Sequence, residues 1–304
     1  MRLGRYQLIS GIARGGMAEI FLARDTTLPA DHRCIVKRLL PARAANPDMQ
    51  AMFLDEGRIT SLFRHPNVDG CTPPELVDDT WFLVMDYVEG TNLGRLVEYV
   101  QHLGFGLPLP LAVHVIGCVA AGLDHAHHVV DPNTAQPLNI VHRDVTPDNI
   151  LVGVNGEVKI ADFGIAKGRG RMTKTMHGEI KGKAGYMSPE QVNGELLDAR
   201  SDLFSLGVVM HELPAGQSLF SGGADFIAMQ RVVREHPPPP SQYNAKVDAQ
   251  LDTICMKALN KEPRGRFSRG GEMSEALSAW LHRAGYVDPG AVFADWLWQL
   301  AARG

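Results

Sequence analysis

The stretch His142-Arg143-Asp144-Val145-Thr146-Pro147-Asp148-Asn149, followed by Ile150-Leu151-Val152 and then by Asp162-Phe163-Gly164, constrains this chain more than any other. Two short apolar runs, 149–152 and 158–161, flank Asn155-Gly156, a strong hairpin signal. A hairpin brings the outer ends of its strands together, so Asn149 and Asp162 are expected to approach one site, with Asp144 on the loop that leads into it. Such a cluster suits a metal ion that neutralises phosphates and a carboxylate that takes or orients a proton. Taken singly, each residue is as well read as a turn carboxylate or a strand cap. The ordered set argues against coincidence.

Composition narrows the classes. A chain of 304 residues is long enough for one large domain or two lobes with a sizeable core. Apolar residues make up 45% and charged residues 21%, the balance of a soluble globular protein. A net charge of −4 gives no broad basic footprint, so no nucleic-acid partner is expected. Cys34, Cys71, Cys118 and Cys255 are scattered and form no Cys-x-x-Cys pair, which disfavours a zinc or disulfide framework and points to the cytoplasm. The N-terminus lacks the apolar core of a signal peptide. The most apolar stretch, 109–123, is shorter than a membrane span and contains His114, so a buried helix is expected there and no span. His125, His127 and His128 lack a helical i, i+4 pair and are read as a solvated helix end, not a metal site.

Patterning predicts the other elements. Residues 6–24 read as strand, turn and strand, with the turn at 13–18. Residues 34–37 read as a strand ending in Lys37. A helix over 47–64 places Met52, Glu56, Ile59 and Phe63 on one face, ended by His65-Pro66. Glu56 then lies inside an apolar stripe, where an unpaired carboxylate is costly, so it needs a cation. Residues 69–80 read as a polar loop and 81–85 as a strand. Helices are expected over 109–128, from Asp202 to a stop at Pro214, and over 290–302, where Phe293, Trp296, Leu297 and Leu300 recur at helical spacing.

The His-Arg-Asp-x-x-x-x-Asn and Asp-Phe-Gly motifs, in this order, resemble the catalytic and metal loops of bacterial eukaryotic-like (Hanks-type) serine/threonine protein kinases. The resemblance runs from about Tyr6 to Leu281. It implies an α+β, bilobal protein-kinase-like fold: an antiparallel small lobe over 1–88, a mainly helical lobe over 89–281 and a helical extension over 282–304. It implies ATP and Mg²⁺, or Mn²⁺, between the lobes. It also implies a protein substrate bearing Ser or Thr hydroxyls and a monomer or weak homodimer. Asp144 would be the catalytic carboxylate, with Asn149 and Asp162 on the metal. Lys37 would grip phosphates and pair with Glu56. ATP would meet Ile12, Ala13, Gly15, Gly16, Ile20, Ile35, Lys37, Met85, Asp86, Val88 and Leu151. Asp202 would accept hydrogen bonds from the catalytic-loop backbone, and Arg266 would pair with Glu190. The segment after Asp162-Phe163-Gly164 is basic and carries Thr173 and Thr175, expected as autophosphorylation sites with Arg143 as receiver.

This chain departs from the family pattern in three places. Ala13 and Ala18 replace glycines of the Gly-x-Gly-x-x-Gly loop. Thr146 stands where these kinases usually carry a lysine that contacts the transferred phosphate. Lys183 stands where a threonine usually helps mark serine/threonine substrates. Two other readings are a nucleotide-binding pseudokinase scaffold and a small-molecule phosphotransferase of kinase-like fold. Intact Lys37, Asp144, Asn149 and Asp162 argue against the first. Ser188-Pro189-Glu190 with Arg266 argues against the second, because these support a peptide platform.

Overall fold

Apolar residues at alternate positions give strands two distinct faces, and the first sheet uses both. Strands β1 (Arg2–Leu3), β2 (Tyr6–Arg14), β3 (Ala18–Asp25), β4 (Arg33–Leu39), β5 (Glu75–Val77) and β6 (Thr80–Asp86) form an antiparallel sheet in the order β1-β2-β3-β4-β6-β5. One face buries Leu3, Tyr6, Leu8, Ala23, Cys34, Val36, Phe82 and Val84. On the other, Ala18, Leu39 and Leu83 receive Phe53 of helix α2 (Pro47–Thr60), which follows the short α1 (Pro41–Ala44). The computed structural model describes residues 1–29, 31–164 and 183–302. These divide into a unit of residues 1–64 with 69–88 and a second unit of residues 65–68, 89–164 and the chain from 183 onward. Thr173 and Thr175 lie outside the described residues.

Several expectations for the first unit change. Lys37 lies inside β4, which continues to Leu39, and does not end it. Helix α2 stops at Thr60, not 64: Leu62 and Phe63 amides turn back to the carbonyls of Ile59 and Thr60 at 3.0 and 3.2 Å. The buried stripe is Phe53, Glu56, Gly57 and Thr60, rotated from the Met52, Ile59 and Phe63 line, with Glu56 common to both. Gly57 explains the rotation, because an added Cβ would collide with Leu83 and lie 2.8 Å from Pro74 Cγ. The helix therefore approaches the sheet most closely on that face. The stretch 69–80 is not all loop, since β5 pairs with β6 there.

In the second unit β7 (Gly90–Asn92), β8 (Ile150–Gly153) and β9 (Val158–Ile160) form a small sheet in that order. The helices are α3 (Leu93–His102), α4 (Leu109–His127), α5 (Pro189–Asn193), α6 (Ala199–Ala215), α7 (Asp225–Arg234), α8 (Ala249–Ala258), α9 (Gly270–Arg283) and α10 (Pro289–Ala301). Helix α4 runs for 19 residues, so the expectation that it is too short to span a membrane fails on length. It packs against α6, α9, α10 and β9, and 61% of its most apolar window is buried, which makes it a core helix. Helix α6 begins at Ala199, where Asp198 caps it by accepting from the Arg200 amide, and not at Asp202. Pro214 falls in its last turn without stopping it. The stop is Gly216, in the left-handed region at φ 68°. Helix α10 buries Phe293 and Leu300 and packs on α4. Its Gly290 carbonyl lies 2.6 Å from where a Cβ on Gly156 would be, and Gly156 has φ 83°, so the β8–β9 turn needs glycine on both counts.

Candidate active site

In the first unit the pairing register decides what faces what. Ala13 opposes Ile20, Ile20 opposes Lys37, and Ile35 opposes Met85. Opposed residues and those two apart share a face, so Ala13, Ile20, Ile35, Lys37 and Met85 lie on one side of the sheet. It is the side against which α2 packs. The Lys37 ammonium donates to the Glu56 carboxylate across that interface, and the two side chains are 13% and 9% exposed. The β2–β3 turn is tight, with the Gly15 amide donating to the Ala18 carbonyl at 2.9 Å. Ala13 and Ala18 consequently belong to strands and not to the turn. Ile12 is exposed, as are Gly15, Gly16 and Asp86, while Val88 is half-buried just after β6.

In the second unit the loop from His142 to Asn149 is held by buried polar groups on all sides. Asp202, 1% exposed, accepts from the His142 amide at 2.7 Å through Oδ2 and from the Arg143 amide at 2.8 Å through Oδ1. His142 Nε2 lies 2.9 Å from the Ala161 carbonyl, and its Nδ1 accepts from the Asp144 amide at 3.2 Å. A carbonyl can only accept and an amide N–H can only donate, so His142 is neutral with its proton on Nε2. Burial holds its pKa below the usual histidine value. Gln191 Nε2 donates to the Arg143 carbonyl at 3.0 Å, and Asn149 Nδ2 donates to the Asp144 carbonyl at 2.7 Å. The Ala161 amide donates to the Asn149 carbonyl at 2.8 Å, tying the loop to the strand that leads into Asp162. Arg143 and Asp162 sit in the left-handed region at φ 69° and 58°. Non-glycine residues there are strained, and such strain gathers at functional sites.

Glu190 and Arg266 meet in a two-pronged ion pair at 2.6 and 2.8 Å, and the Arg266 side chain is fully buried. Burial alone would raise the Glu190 carboxyl. Hydrogen bonds from Arg266 and Ser201 outweigh it and hold the group below the usual glutamate value. Arg266 also donates to the carbonyls of Arg200, Lys261 and Asn260. One expectation is corrected here. His127 is not a solvated helix end but is buried, with Nε2 2.7 Å from Asp202 Oδ2. His125 stacks on His65 at 5.3 Å. Periodicity could not have found the His127 partner, which lies far away in sequence. Gln191 was missed too, although Ser188-Pro189-Glu190-Gln191 spells the capping box that α5 forms.

The donor set fits a hard divalent cation. Because Asn149 spends its amide nitrogen on Asp144, its side-chain oxygen is the atom it can offer to a metal, and Asp162 can offer a carboxylate. Leu151 lies in β8, opposite Asn92 and Lys159.

The two departures in this unit occupy one neighbourhood. Thr146 is 2% exposed, and its hydroxyl has no hydrogen-bond partner among the described residues. Lys183 reaches the catalytic loop, with Nζ 3.0 Å from Asp144 Oδ2. Both line an open cleft with Gly94, Glu98, Asp148 and Glu212.

Comparison with known proteins places this geometry. The sequence model of the protein kinase domain matches residues 6–281. The tyrosine-protein kinase MasK of Myxococcus xanthus is 34% identical over 281 residues, covering 91% of this chain and 43% of its own length. The serine/threonine-protein kinase PknB of Mycolicibacterium smegmatis is 34% identical over 303 residues, covering 96% of this chain and 45% of its own. The chain thus spans less than half the length of these relatives. The crystal structure of the Mycobacterium tuberculosis PknI kinase domain superposes with a TM-score of 0.64 over 92% of this chain and 97% of that one, at 23% identity, and shares the fold. The antiparallel unit, the helical unit and the ordered motifs have one common source: this chain belongs to the protein kinase domain family.

Proposed function

We propose that this chain transfers the γ-phosphoryl group of ATP to hydroxyl groups of protein substrates, with serine and threonine as acceptors. Membership of the family brings ATP and a divalent metal ion, and the oxygen donors of Asn149 and Asp162 favour Mg²⁺. The metal, when bound, neutralises phosphate charge. Asp144 takes or orients the substrate hydroxyl's proton as that oxygen bonds to the γ-phosphorus and the bond from the γ-phosphorus to the β,γ-bridging oxygen breaks, releasing ADP. Lys37, held by Glu56, contributes positive charge to the phosphates, on the sheet face it shares with Ile20, Ile35 and Met85. Residues 1–88 and 89–281 act as the two lobes, and 282–304 form an extension docked on the helical one. The cleft beside Asp144 gives an extended peptide a surface on which to lie. Thr173 and Thr175 are the autophosphorylation sites of this reading, with Arg143 as receiver. The protein works as a monomer or weak homodimer where ATP and reduced thiols are found, in the cytoplasm.

The observation that carries this reading is the loop 142–149: Asp202 holds the His142 and Arg143 amides, His142 accepts from the Asp144 amide, and Asn149 bonds to the Asp144 carbonyl and to the strand before Asp162. A second reading, transfer to tyrosine, draws on Lys183 in place of the usual threonine and on the likeness to a tyrosine kinase. Incubation with radiolabelled Mg-ATP and casein, followed by phosphoamino-acid analysis, separates the two. Label on serine and threonine supports the first and label on tyrosine the second. Asp162→Asn, still folded by circular dichroism, should lose metal-dependent transfer. Retained turnover in that variant removes Asp162 from the metal.

A further inference from the structure

Lys183 and Thr146 depart from the family pattern together, and they do so at the same carboxylate. Residue 146 follows the catalytic aspartate by two positions, where a cation is usual. Threonine cannot carry charge there, and its hydroxyl is buried without a partner among the described residues. Position 183 is far along the chain and usually holds a small hydroxyl. Here it holds a lysine whose ammonium lies 3.0 Å from Asp144 Oδ2. The residue types at the two positions are exchanged, and a cation reaches the catalytic carboxylate from the opposite side of the sequence.

The pair is a built contact and not a loose surface bridge. The Asp144 side chain is 15% exposed and that of Lys183 33%. The loop that presents Asp144 is pinned by Asp202, His142, Asn149 and Gln191, so the carboxylate is not free to follow a wandering lysine. Lys183 is anchored too. It immediately precedes the 3₁₀ turn Ala184–Tyr186, its carbonyl accepts from the Tyr186 amide at 3.0 Å, and the Ser188 capping box follows directly. Two fixed backbones set this geometry, which is what a pre-organised site requires.

We propose that Lys183 replaces the missing catalytic-loop cation, as a positioning residue that holds the Asp144 carboxylate in its working orientation. The proposal rests on the phosphoryl-transfer reading above. A lysine on the segment that leads into the peptide platform also couples the orientation of Asp144 to the placement of that segment. In the usual arrangement the cation belongs to the catalytic loop itself. The alternative is a latch, in which Lys183 caps Asp144 and must leave before turnover.

The test uses the full chain with Mg-ATP and casein. Lys183→Met removes the ammonium and keeps the stem. It should lower kcat on the order of 10²-fold, with KM for ATP and the melting temperature little changed, because the side chain caps no helix. Lys183→Arg should restore a large part of the rate, and the exchange variant carrying Thr146→Lys with Lys183→Thr should outperform Lys183→Thr alone. A purely structural role would move the melting temperature and spare kcat. Unchanged turnover in folded Lys183→Met overturns the proposal. Raised turnover overturns it in favour of the latch. A folded exchange variant no faster than Lys183→Thr overturns the exchange of roles. One arm needs no turnover: an amine-reactive ester, read by peptide mass spectrometry, should label Lys183 faster in Asp144→Ala than in the wild type. Equal labelling overturns the ion pair itself. A wild-type protein that transfers no phosphate to casein or to itself, yet shows this labelling difference, sinks the functional reading and leaves the pair standing.

Discussion

The two units hold their functional residues by different means. In the first, Lys37 pairs with Glu56, and the hairpin carrying Gly15 and Gly16 is exposed. In the second, a single short loop is bound through Asp202, His142, Asn149 and Gln191, most of it out of water. A buried bond that is lost leaves an unsatisfied group at full desolvation cost, whereas an exposed one is replaced by water. The first unit can therefore lose a functional residue and keep its fold. The second cannot separate the two so easily.

The largest expected effect is at Asp202. Asp202→Ala removes the acceptor of two backbone amides and the partner of His127, and the bonds to His127 and to the His142 amide are buried. Loss of one partner from a buried charged network typically costs about 3–5 kcal/mol. Urea denaturation should show a shift of that order, together with loss of phosphoryl transfer. A shift under about 1 kcal/mol would mean that water takes over the bonds and that the loop is less buried than its exposure implies.

Acid should act on the same region. Burial lowers the pKa of His142, and likewise of His65, His114, His125 and His211. As pH falls through the ordinary histidine value near 6.5, the unfolded chain takes up protons that the folded chain refuses, so stability is lost toward acid. Each such proton contributes at most about 1.4 kcal/mol per pH unit. Glu212, raised by burial, works the other way over the upper part of its range. The urea midpoint should fall between pH 7.5 and 5.5. A flat midpoint would contradict the neutral His142 assigned from its two hydrogen bonds.

How much of this was legible in the sequence differs between the units for a physical reason. Motif residues are read by identity, so Asp144, Asn149, Asp162, Glu190 and Arg266 were visible before any geometry. So was the departure at Lys183, though not its contact with Asp144. Partners were legible only where the chain had a local reason to reveal them. Glu56 betrayed its need for a cation by lying in an apolar stripe, although the stripe was one position off because Gly57, and not a large residue, marks the closest approach to the sheet. His127 gave no such sign, because a histidine on an apolar helix looks the same whether it meets solvent or a carboxylate. Strands β5 and β7 were invisible at three residues each, since nothing but pairing with β6 and β8 defines them. Helix α2 ended early because its last turn tightens locally, well before Pro66.

The contrast sharpens at Lys37. Removing one member of a buried ion pair typically costs about 3–5 kcal/mol, because the other charge is left uncompensated, and water that reaches that charge lowers the cost. Glu56 keeps some access to water at 9% exposure. Lys37→Met should therefore lower the unfolding free energy by less than that, read from urea denaturation, while phosphoryl transfer falls by orders of magnitude. A large loss of stability would show that the first unit, like the second, is built around its functional pair.

The smallest effect is expected at Gly15. Glycine is required where the backbone enters the left-handed region or where a Cβ would collide, and neither holds here. Gly15 is absent from the residues with positive φ, and among the described residues an added Cβ would meet only the Ala18 carbonyl, at an ordinary 3.8 Å. The same hairpin already carries alanine at 13 and 18, inside its strands. Gly15→Ala should leave stability within about 0.5 kcal/mol, as for other exposed substitutions without a special role. In the proposed function, glycine contributes the absence of a side chain where backbone amides approach phosphate, a contribution that appears only with ATP present. The variant should therefore show a few-fold rise in KM for ATP, roughly 0.6–1 kcal/mol in binding terms, and no change in melting temperature without nucleotide. An unaltered KM would remove the turn from the phosphate site and leave Lys37 as the first unit's main contribution to binding the phosphates. A lowered melting temperature would instead mean that the exposed hairpin is held by a constraint its contacts do not reveal, and the contrast between the two units would narrow to one of degree.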